Sequence, residues 1–295
     1  MGSVYHWGSL AVQERVGVRG PAEHVGRSIG TDIRDVAAAF LELQPHLVVG
    51  AADGAGRMWA SLLTGPPGFV RATGAHRVAV TGGPPAGDPL AGALATAGTR
   101  VGTIALDPRT RRRMRLNGTL TATARGFAVE AEQVFANCPK YLQKRQPLEL
   151  VADGAGVVRR GDALTPGQVR TVRGADTFFV ATTAEGDGVD ASHRGGLPGF
   201  VEVLSPVELA WPDYAGNAMF LTLGNLMTDP RAGLLFPDWE SGAVLQLSGR
   251  ARTEFAPDGG RRTRFRVESV VEGVHPGRLL WSTPEYSPHL GSTTR

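Results

Sequence analysis

The stretch Ala60-Ser61-Leu62-Leu63-Thr64-Gly65-Pro66-Pro67-Gly68-Phe69-Val70 is answered further along the chain by Ala191-Ser192-His193-Arg194-Gly195-Gly196-Leu197-Pro198-Gly199-Phe200-Val201. Ala, Ser, Gly, Pro, Gly, Phe and Val recur at one fixed offset, the 131 residues from Ala60 to Ala191. Working outward, the same offset carries Val49 to Val180, Gly102 to Gly233, Asp107 to Asp238, Leu116 to Leu247 and Gly118 to Gly249. An offset that survives about seventy residues without a gap implies two copies of one supersecondary plan.

The bulk composition agrees. A chain of 295 residues is long enough for two ordinary domains, and each unit is large enough to bury a core without staples. Hydrophobic residues make up 42%, while Gly 40 and Pro 20 fall mostly in turn-like clusters, which predicts tight loops. A net charge of +3 with pI ≈ 9.4 suits a small anionic ligand and is too weak to predict nucleic-acid binding. Cys138 is the one cysteine, so no intrachain disulfide can form and a reducing cytoplasm is expected. No apolar run reaches the length of a membrane span. The segment Met1-Gly2-Ser3-Val4-Tyr5-His6-Trp7 lacks the basic-then-apolar layout of a signal peptide. The seven histidines are scattered with no i,i+4 pair beside carboxylates, so no metal site is expected.

Residues 1–30 read as an N-terminal extension with a short helical pattern around Ala11-Val12-Gln13-Glu14-Arg15. Thr31 and Asp32 are placed to cap a helix through Leu43, with Ile33, Val36, Ala37, Phe40 and Leu41 on one face. Its counterpart begins at Thr165-Pro166. Each helix leads into a strand (47–52, 177–182), a turn (Asp53-Gly54-Ala55-Gly56, Glu185-Gly186-Asp187-Gly188) and a returning strand (58–63, 189–194). Further short strands follow in both halves, with a helix expected over 88–97 and over 219–228. Many short strands with close turns read as small barrels. The divisions expected are the extension 1–30, a first barrel 31–145, a linker 146–164, a second barrel 165–285 and a tail 286–295.

The second copy also resembles a known family. Asp190-Ala191-Ser192-His193-Arg194-Gly195-Gly196-Leu197-Pro198-Gly199-Phe200-Val201, Pro212-Asp213-Tyr214-Ala215-Gly216-Asn217, Thr222-Leu223-Gly224-Asn225-Leu226, Asp229-Pro230-Arg231-Ala232-Gly233-Leu234-Leu235-Phe236 and Leu245-Gln246-Leu247-Ser248-Gly249-Arg250-Ala251 are similar to motifs of the FMN-binding split-barrel proteins, the pyridoxamine 5'-phosphate oxidase-like flavoproteins. Glu130-Ala131-Glu132-Gln133-Val134-Phe135-Ala136-Asn137-Cys138-Pro139-Lys140-Tyr141 resembles the C-terminal motif of single-barrel members. The resemblance spans about residues 30–270. It implies a mainly β chain with short helices: two tandem six-stranded antiparallel split barrels forming an intrachain pseudo-dimer, with FMN at their interface. An FMN-dependent oxidoreductase acting on an unidentified small molecule is the function it implies; the mildly basic charge is what would suit an anionic one. A flavin-binding or storage module without catalysis, and a barrel using a deazaflavin or haem, stay open. The expected assembly is a monomer or a homodimer of pseudo-dimers.

A flavin phosphate needs a fork-shaped cation and neutral donors. The second copy offers Arg194, with Ser192 two residues before it on the same strand face. Gly195 and Gly196 offer close backbone approach, Asn217 sits in a turn, and Thr222 and Asn225 share a helix face near its positive end. At the offset of 131, Arg194 becomes Leu63, His193 Leu62, Thr222 Ala91 and Asn225 Leu94; Ser192 alone persists, as Ser61. The tail motif with Asn137 and Lys140 survives only in the first copy. One composite site is expected, with phosphate donors from the second barrel closed by Asn137 and Lys140 from the first. Arg194 also reads as a solvated strand arginine, Lys140 as a surface charge and His193 as an interface histidine. Gln246, whose first-copy equivalent is Arg115, is a candidate donor to the flavin edge. Arg109, Arg111, Arg112, Arg113 and Arg115 read either as an exposed hairpin edge protected by charge or as an anion-binding rim. No side chain is compelled as acid or base.

Overall fold

The computed structural model describes residues 4–136, 139–151, 157–184, 188–274 and 278–292. The extension folds as α1 (Trp7–Val16) and α2 (Arg19–Gly26), followed by α3 (Asp35–Glu42). The first half then runs β1 (His46–Ala52), β2 (Met58–Thr64), β3 (Val70–Gly74), β4 (Arg77–Thr81), β5 (Arg100–Asp107), β6 (Arg112–Thr123) and β7 (Gly126–Ala136). Next come β8 (Pro147–Val151), β9 (Arg159–Gly161) and α4 (Pro166–Gly174). The second half runs β10 (Thr177–Ala184), β11 (Gly188–Gly195), β12 (Glu202–Ser205), β13 (Glu208–Pro212), α5 (Leu221–Thr228), β14 (Arg231–Pro237), β15 (Ala243–Phe255) and β16 (Arg261–Val274), and β17 (Arg278–Trp281) follows.

The protein is mainly β, two antiparallel split-barrel sheets in tandem. The first has the order β2-β1-β5-β6-β7-β4-β3 and the second β11-β10-β14-β15-β16-β13-β12. The second order is the first with every strand replaced by its repeat partner. Register repeats too: Val48 faces Ile104, and Phe179 faces Leu235. Each long hairpin carries a bulge at the same place, at Asn117/Gly118 and at Ser248/Gly249. A Cβ on Gly118 would fall on the Glu130 carbonyl, and one on Gly249 on the Arg266 carbonyl. The bulge therefore admits only glycine, which is why this glycine recurs. In the motif that opened the sequence reading, Gly65 and Gly196 lie under the Phe69 and Phe200 rings, and Gly68 and Gly199 both have φ 91°.

The two sheets pack on each other reciprocally. A Cβ on Gly102 would meet the Asp190 backbone, and one on Gly233 the Trp59 backbone; Trp59 and Asp190 are themselves repeat partners. Gly50 meets its own partner, Ala181. The buried cluster between the sheets contains both members of the pairs Val48/Phe179, Met58/Val189, Ala60/Ala191 and Ile104/Leu235. Contacts in which i meets j′ and j meets i′ are the signature of a twofold. Each sheet also has a private core: Trp59, Leu63, Phe69, Leu116 and Phe127 in one, Phe178, Trp211, Phe236, Leu247 and Phe265 in the other.

Several sequence expectations need correction. The helix expected from Thr31 begins at Asp35, the position matching Pro166, and its N-cap Arg34 gives no side-chain cap. Thr165 does cap α4, in a capping box with Gln168. Val36, placed on the buried face, is 75% exposed. The helix expected over 88–97 is a single 3-10 turn, Ala93–Ala95, whereas its partner α5 is a full helix. Short helices persist through tertiary packing, and α5 alone has α1 laid across it, crossing where Gly8 meets Gly224. α2 has no counterpart in the sequence reading. Residues 147–151 and 159–161, within the expected linker, form β8 and β9, which pair with β17 and β16. Each sheet path has seven strands, not the six implied by the resemblance. Among the described residues no helix is long and apolar enough to cross a membrane.

Pairing of β8 with β17 brings Trp281 against the first sheet. His46, first residue of β1, is buried between Trp239 and Trp281, with ring centroids 6.0 and 5.5 Å away. Both its nitrogens lack a partner among the described residues. Burial, with a smaller push from Arg109 and against the pull of Asp107, lowers its pKa to about 4. A lowered histidine pKa stabilises the fold above the unfolded value, near 6.5, and that stability is lost as pH falls toward 4. The expected loss is up to about 1.4 kcal/mol per pH unit. Urea titrations at pH 7.5 and 4.5 are expected to show a shallower pH dependence for His46→Leu than for wild type. An unchanged slope would mean that native His46 takes up its proton normally.

Candidate functional site

A cavity of about 110 Å³ lies where the two halves meet. The first half contributes Arg113 and Arg115 from β6, and Lys140 and Tyr141 from the segment after β7. The second contributes Ser192, His193, Arg194 and Gly195 at the end of edge strand β11, the loop 212–220, and Leu221, Thr222 and Leu223 at the start of α5.

The walls are rich in cations. Arg115 pairs with the buried carboxylate of Asp190, which also accepts from Asn117 Nδ2 at 3.1 Å and Ser192 Oγ at 3.2 Å. Asp213, on the rim, pairs with Arg261 at 2.8 Å. Arg194 is different. Its Nη1 donates to the His193 carbonyl at 3.1 Å, and it has no carboxylate partner among the described residues. Burial, together with Arg115, draws its pKa below the usual arginine range, opposed by Asp213 and Asp190. Lys140, half-buried on the facing wall, has no hydrogen bond or ion pair among the described residues.

The hydroxyls point inward. Ser192 has one proton and gives it to Asp190. Thr222 Oγ1, 3.0 Å from Ser192 Oγ, therefore donates to Ser192. Neither hydroxyl proton remains for a ligand in this arrangement. Asn217 lines the cavity, and its Oδ1 accepts from Met219 N at 3.2 Å; its amide nitrogen has no partner among the described residues.

The expected residues divide accordingly. Ser192, His193, Arg194, Gly195, Asn217, Thr222 and Lys140 come together at the cavity. Asn137, and Cys138 beside it, lie outside the described residues. Gly196 sits behind the wall, donating to the Asp176 carbonyl and accepting from Gln143. The close approach at Gly195 is to the Tyr141 carbonyl, not to a phosphate. Asn225 is buried away from the cavity: its Oδ1 accepts from His6 Nε2 at 2.8 Å and its Nδ2 donates to Thr182 at 3.0 Å, so it anchors the N-terminal extension. Gln246 belongs to the opposite side, where its Nε2 donates to Ser61 Oγ at 3.0 Å and to Asp88 Oδ2 at 3.1 Å. Its repeat partner Arg115 holds the corresponding place at the cavity.

That opposite side is the counterpart of the cavity, and it is closed. About 20 Å³ remains, lined by Leu62, Thr64, Trp239, Leu279 and Trp281 among others; Leu62 and Thr64 replace His193 and Gly195. Ser61, the one retained donor, gives its proton to Asp88 at 2.6 Å, and Leu90 N donates to the same carboxylate at 2.8 Å. Burial raises the Asp88 pKa, while these donors and Gln246 pull it down. An internal carboxylate thus fills this side's donor set.

Of the arginines expected at a hairpin edge or an anion-binding rim, Arg113 and Arg115 line the cavity; Arg109 and Arg111 turn instead to Asp107 and Glu285. Tyr141, Tyr214 and Phe220 were not among the site residues expected from sequence. Tyr141, Ala218 and Phe220 all have positive φ (63°, 62° and 54°) and all line the cavity. Strained backbone of this kind gathers at functional sites, and no sequence pattern announces it for Tyr or Phe. No group of His, Cys, Asp and Glu among the described residues could hold a metal ion.

Neither a protein-family model nor a curated protein sequence matches the chain. Among solved structures it is similar to a protein described as a candidate pyridoxamine 5'-phosphate oxidase from Lactobacillus delbrueckii, at 18% identity and TM-score 0.31, covering 37% of this chain and 94% of that one. HupZ of Group A Streptococcus is similar at 10% identity and TM-score 0.32, over 39% and 98% of the two chains. An FAD-binding protein of Mycobacterium smegmatis is similar at 11% identity and TM-score 0.28, over 41% and 100%.

The Gly195–Tyr141 approach is directly testable. Gly195→Ala is expected to push the 140–142 segment off β11 and to destabilise by about 1–3 kcal/mol, the usual cost of overpacking. Urea denaturation measures it; an unchanged midpoint would show that this segment yields freely.

Proposed function

We propose that the cavity binds FMN, one molecule per chain, and that the protein is an FMN-dependent oxidoreductase acting on a small molecule, its two halves forming a covalent pseudo-dimer. The observation that carries this reading is the pair Arg194 and Lys140: two cations without carboxylate partners among the described residues, one from each half, on one cavity. A dianionic phosphate is the ligand group such a pair suits. The donor set also suits a cofactor with acceptors beyond its phosphate, since the Asn217 amide nitrogen and the buried His193 Nε2 have no partner among the described residues. The sequence resemblance of Asp190–Val201 and its neighbouring motifs points to the same cofactor.

In this reading Arg194 holds the phosphate, Lys140 closes over it, and Arg115 is held in place by Asp190. Ser192 and Thr222 order the wall through their mutual hydrogen bond. When bound, flavin supplies hydride or electron transfer, and the protein supplies position and electrostatics. Tyr141 and Tyr214, with ring centroids 5.1 Å apart, shield one side of the site from water. The closed counterpart around Asp88 and Trp281 accounts for a single cofactor.

FMN released from saturated protein is expected near one per chain by absorbance. A ratio near two would mean that the closed side binds, and no uptake would end the flavin reading. Arg194→Ala is expected to weaken FMN by about 1.5–3 kcal/mol, the range for a hydrogen bond to a charged group, with partial recovery in Arg194→Lys because a point charge does not replace the fork. Lys140→Ala is expected to cost less, and more at low salt than at high, where a half-exposed cation is screened. Bound flavin that neither reductant nor air cycles would favour a storage module over an enzyme.

A further inference from the structure

Arg113 Nη1, from the first half, lies 2.8 Å from Nδ1 of His193, in the second. A guanidinium has donors only, so Nδ1 is the acceptor in this contact and carries no proton. A neutral ring in that state has its proton on Nε2. An imidazolium would set N–H against N–H. The ring is 5% exposed, lines the cavity, and is held edge-on by Phe179 at 5.7 Å between centroids. Its Nε2 is buried with no acceptor among the described residues. Unsatisfied buried donors are rare and costly, and this one sits at the site where a ligand is expected.

We propose that His193 is a neutral donor locked in one tautomer by Arg113, and that its Nε2–H receives an unprotonated acceptor of the bound molecule, a carbonyl oxygen or ring nitrogen. Assigning that acceptor to a flavin ring rests on the function proposed above; the lock itself does not. The charged groups facing the ring are Arg113 and Arg194, and they act with burial in one direction, holding its pKa well below the ordinary histidine value. The cavity then reads two chemistries with two kinds of group. Arg194 and Lys140 select an anion, and His193 selects a neutral acceptor. A ligand presenting an amino group or a protonated nitrogen to Nε2 is rejected, since N–H would meet N–H. A ring nitrogen already bearing a proton is likewise no ligand for a metal. Arg113 is a positioning residue: it touches His193 rather than the ligand's acceptor.

Nitrogen chemical shifts of ring-labelled histidine in the full chain test the lock without any ligand. The expected result is unprotonated Nδ1 and protonated Nε2 at pH 7 and still at pH 5.5, with Arg113→Met giving mixed tautomers or an imidazolium. A wild-type ring protonated at Nδ1 overturns the proposal. FMN titration tests the donor. Adding FMN should move the Nε2 shift, His193→Leu should weaken FMN about tenfold, and His193→Gln, which keeps an N–H donor, should stay within about threefold of wild type. If His193→Leu binds FMN as wild type does while Arg194→Ala does not, the donor role is wrong and the flavin reading stands. If the wild-type chain takes up no FMN, the flavin reading and the donor role toward it fall together, and the nitrogen shifts decide the lock.

Discussion

The contact on which the rest depends is the back-to-back packing of the two sheets. It is close because Gly102 and Gly233 lack a Cβ where the other sheet's backbone passes, and Gly50 lacks one where the Ala181 Cβ sits. Around these glycines, repeat partners such as Val48 and Phe179 fill one shared apolar cluster, the main source of cohesion at such an interface. Edge strand β11 is thereby brought beside β6, so that Arg113 reaches His193 and Arg115 reaches Asp190. The cavity is a product of that juxtaposition, and neither half contains it alone.

A twofold arrangement produces two such places, and the chain has closed one of them. Arginine, histidine and threonine at the open side become Leu63, Leu62 and Ala91. The remaining hydroxyl, Ser61, is satisfied by Asp88. Trp239 and Trp281 cover the apolar remainder beside His46. Leaving polar donors buried and unmatched would be costly, and the internal carboxylate removes that cost. The open side has what the closed side lacks: Arg194 and Lys140 without carboxylate partners, and His193 Nε2 without an acceptor, among the described residues.

Hydrogen-bond direction matters here as much as distance. Ser192 and Thr222 have the residue types of a phosphate cradle, yet Ser192 gives its proton to Asp190 and Thr222 gives its proton to Ser192. His193 has the residue type of a switchable base, yet the guanidinium on Nδ1 fixes it as a neutral donor. Asn225 has the amide expected of a cofactor ligand, yet His6 and Thr182 use both its ends. In each case the side chain's role is decided by the partner it meets, and those partners lie 2 to 219 residues away.

By itself the sequence determined the repeat, the matching of the two halves strand for strand that follows from it, the glycines that recur in both, and which half carries the Ser192–His193–Arg194 cluster. These are local matters, or matters of comparing one half with the other, so they are written in the chain. Tertiary structure alone decided the rest. It shortened the 88–97 helix to one turn for want of a covering helix, and turned the expected linker into strands paired with β16 and β17. It moved Gln246 to the closed side and Asn225 to the N-terminal extension, while bringing Arg113 and Tyr141 onto the cavity wall. The physical reason is common to all of these: a side chain's hydrogen-bond partners and burial depend on which surfaces meet across the twofold, and spacing along the chain does not encode that meeting.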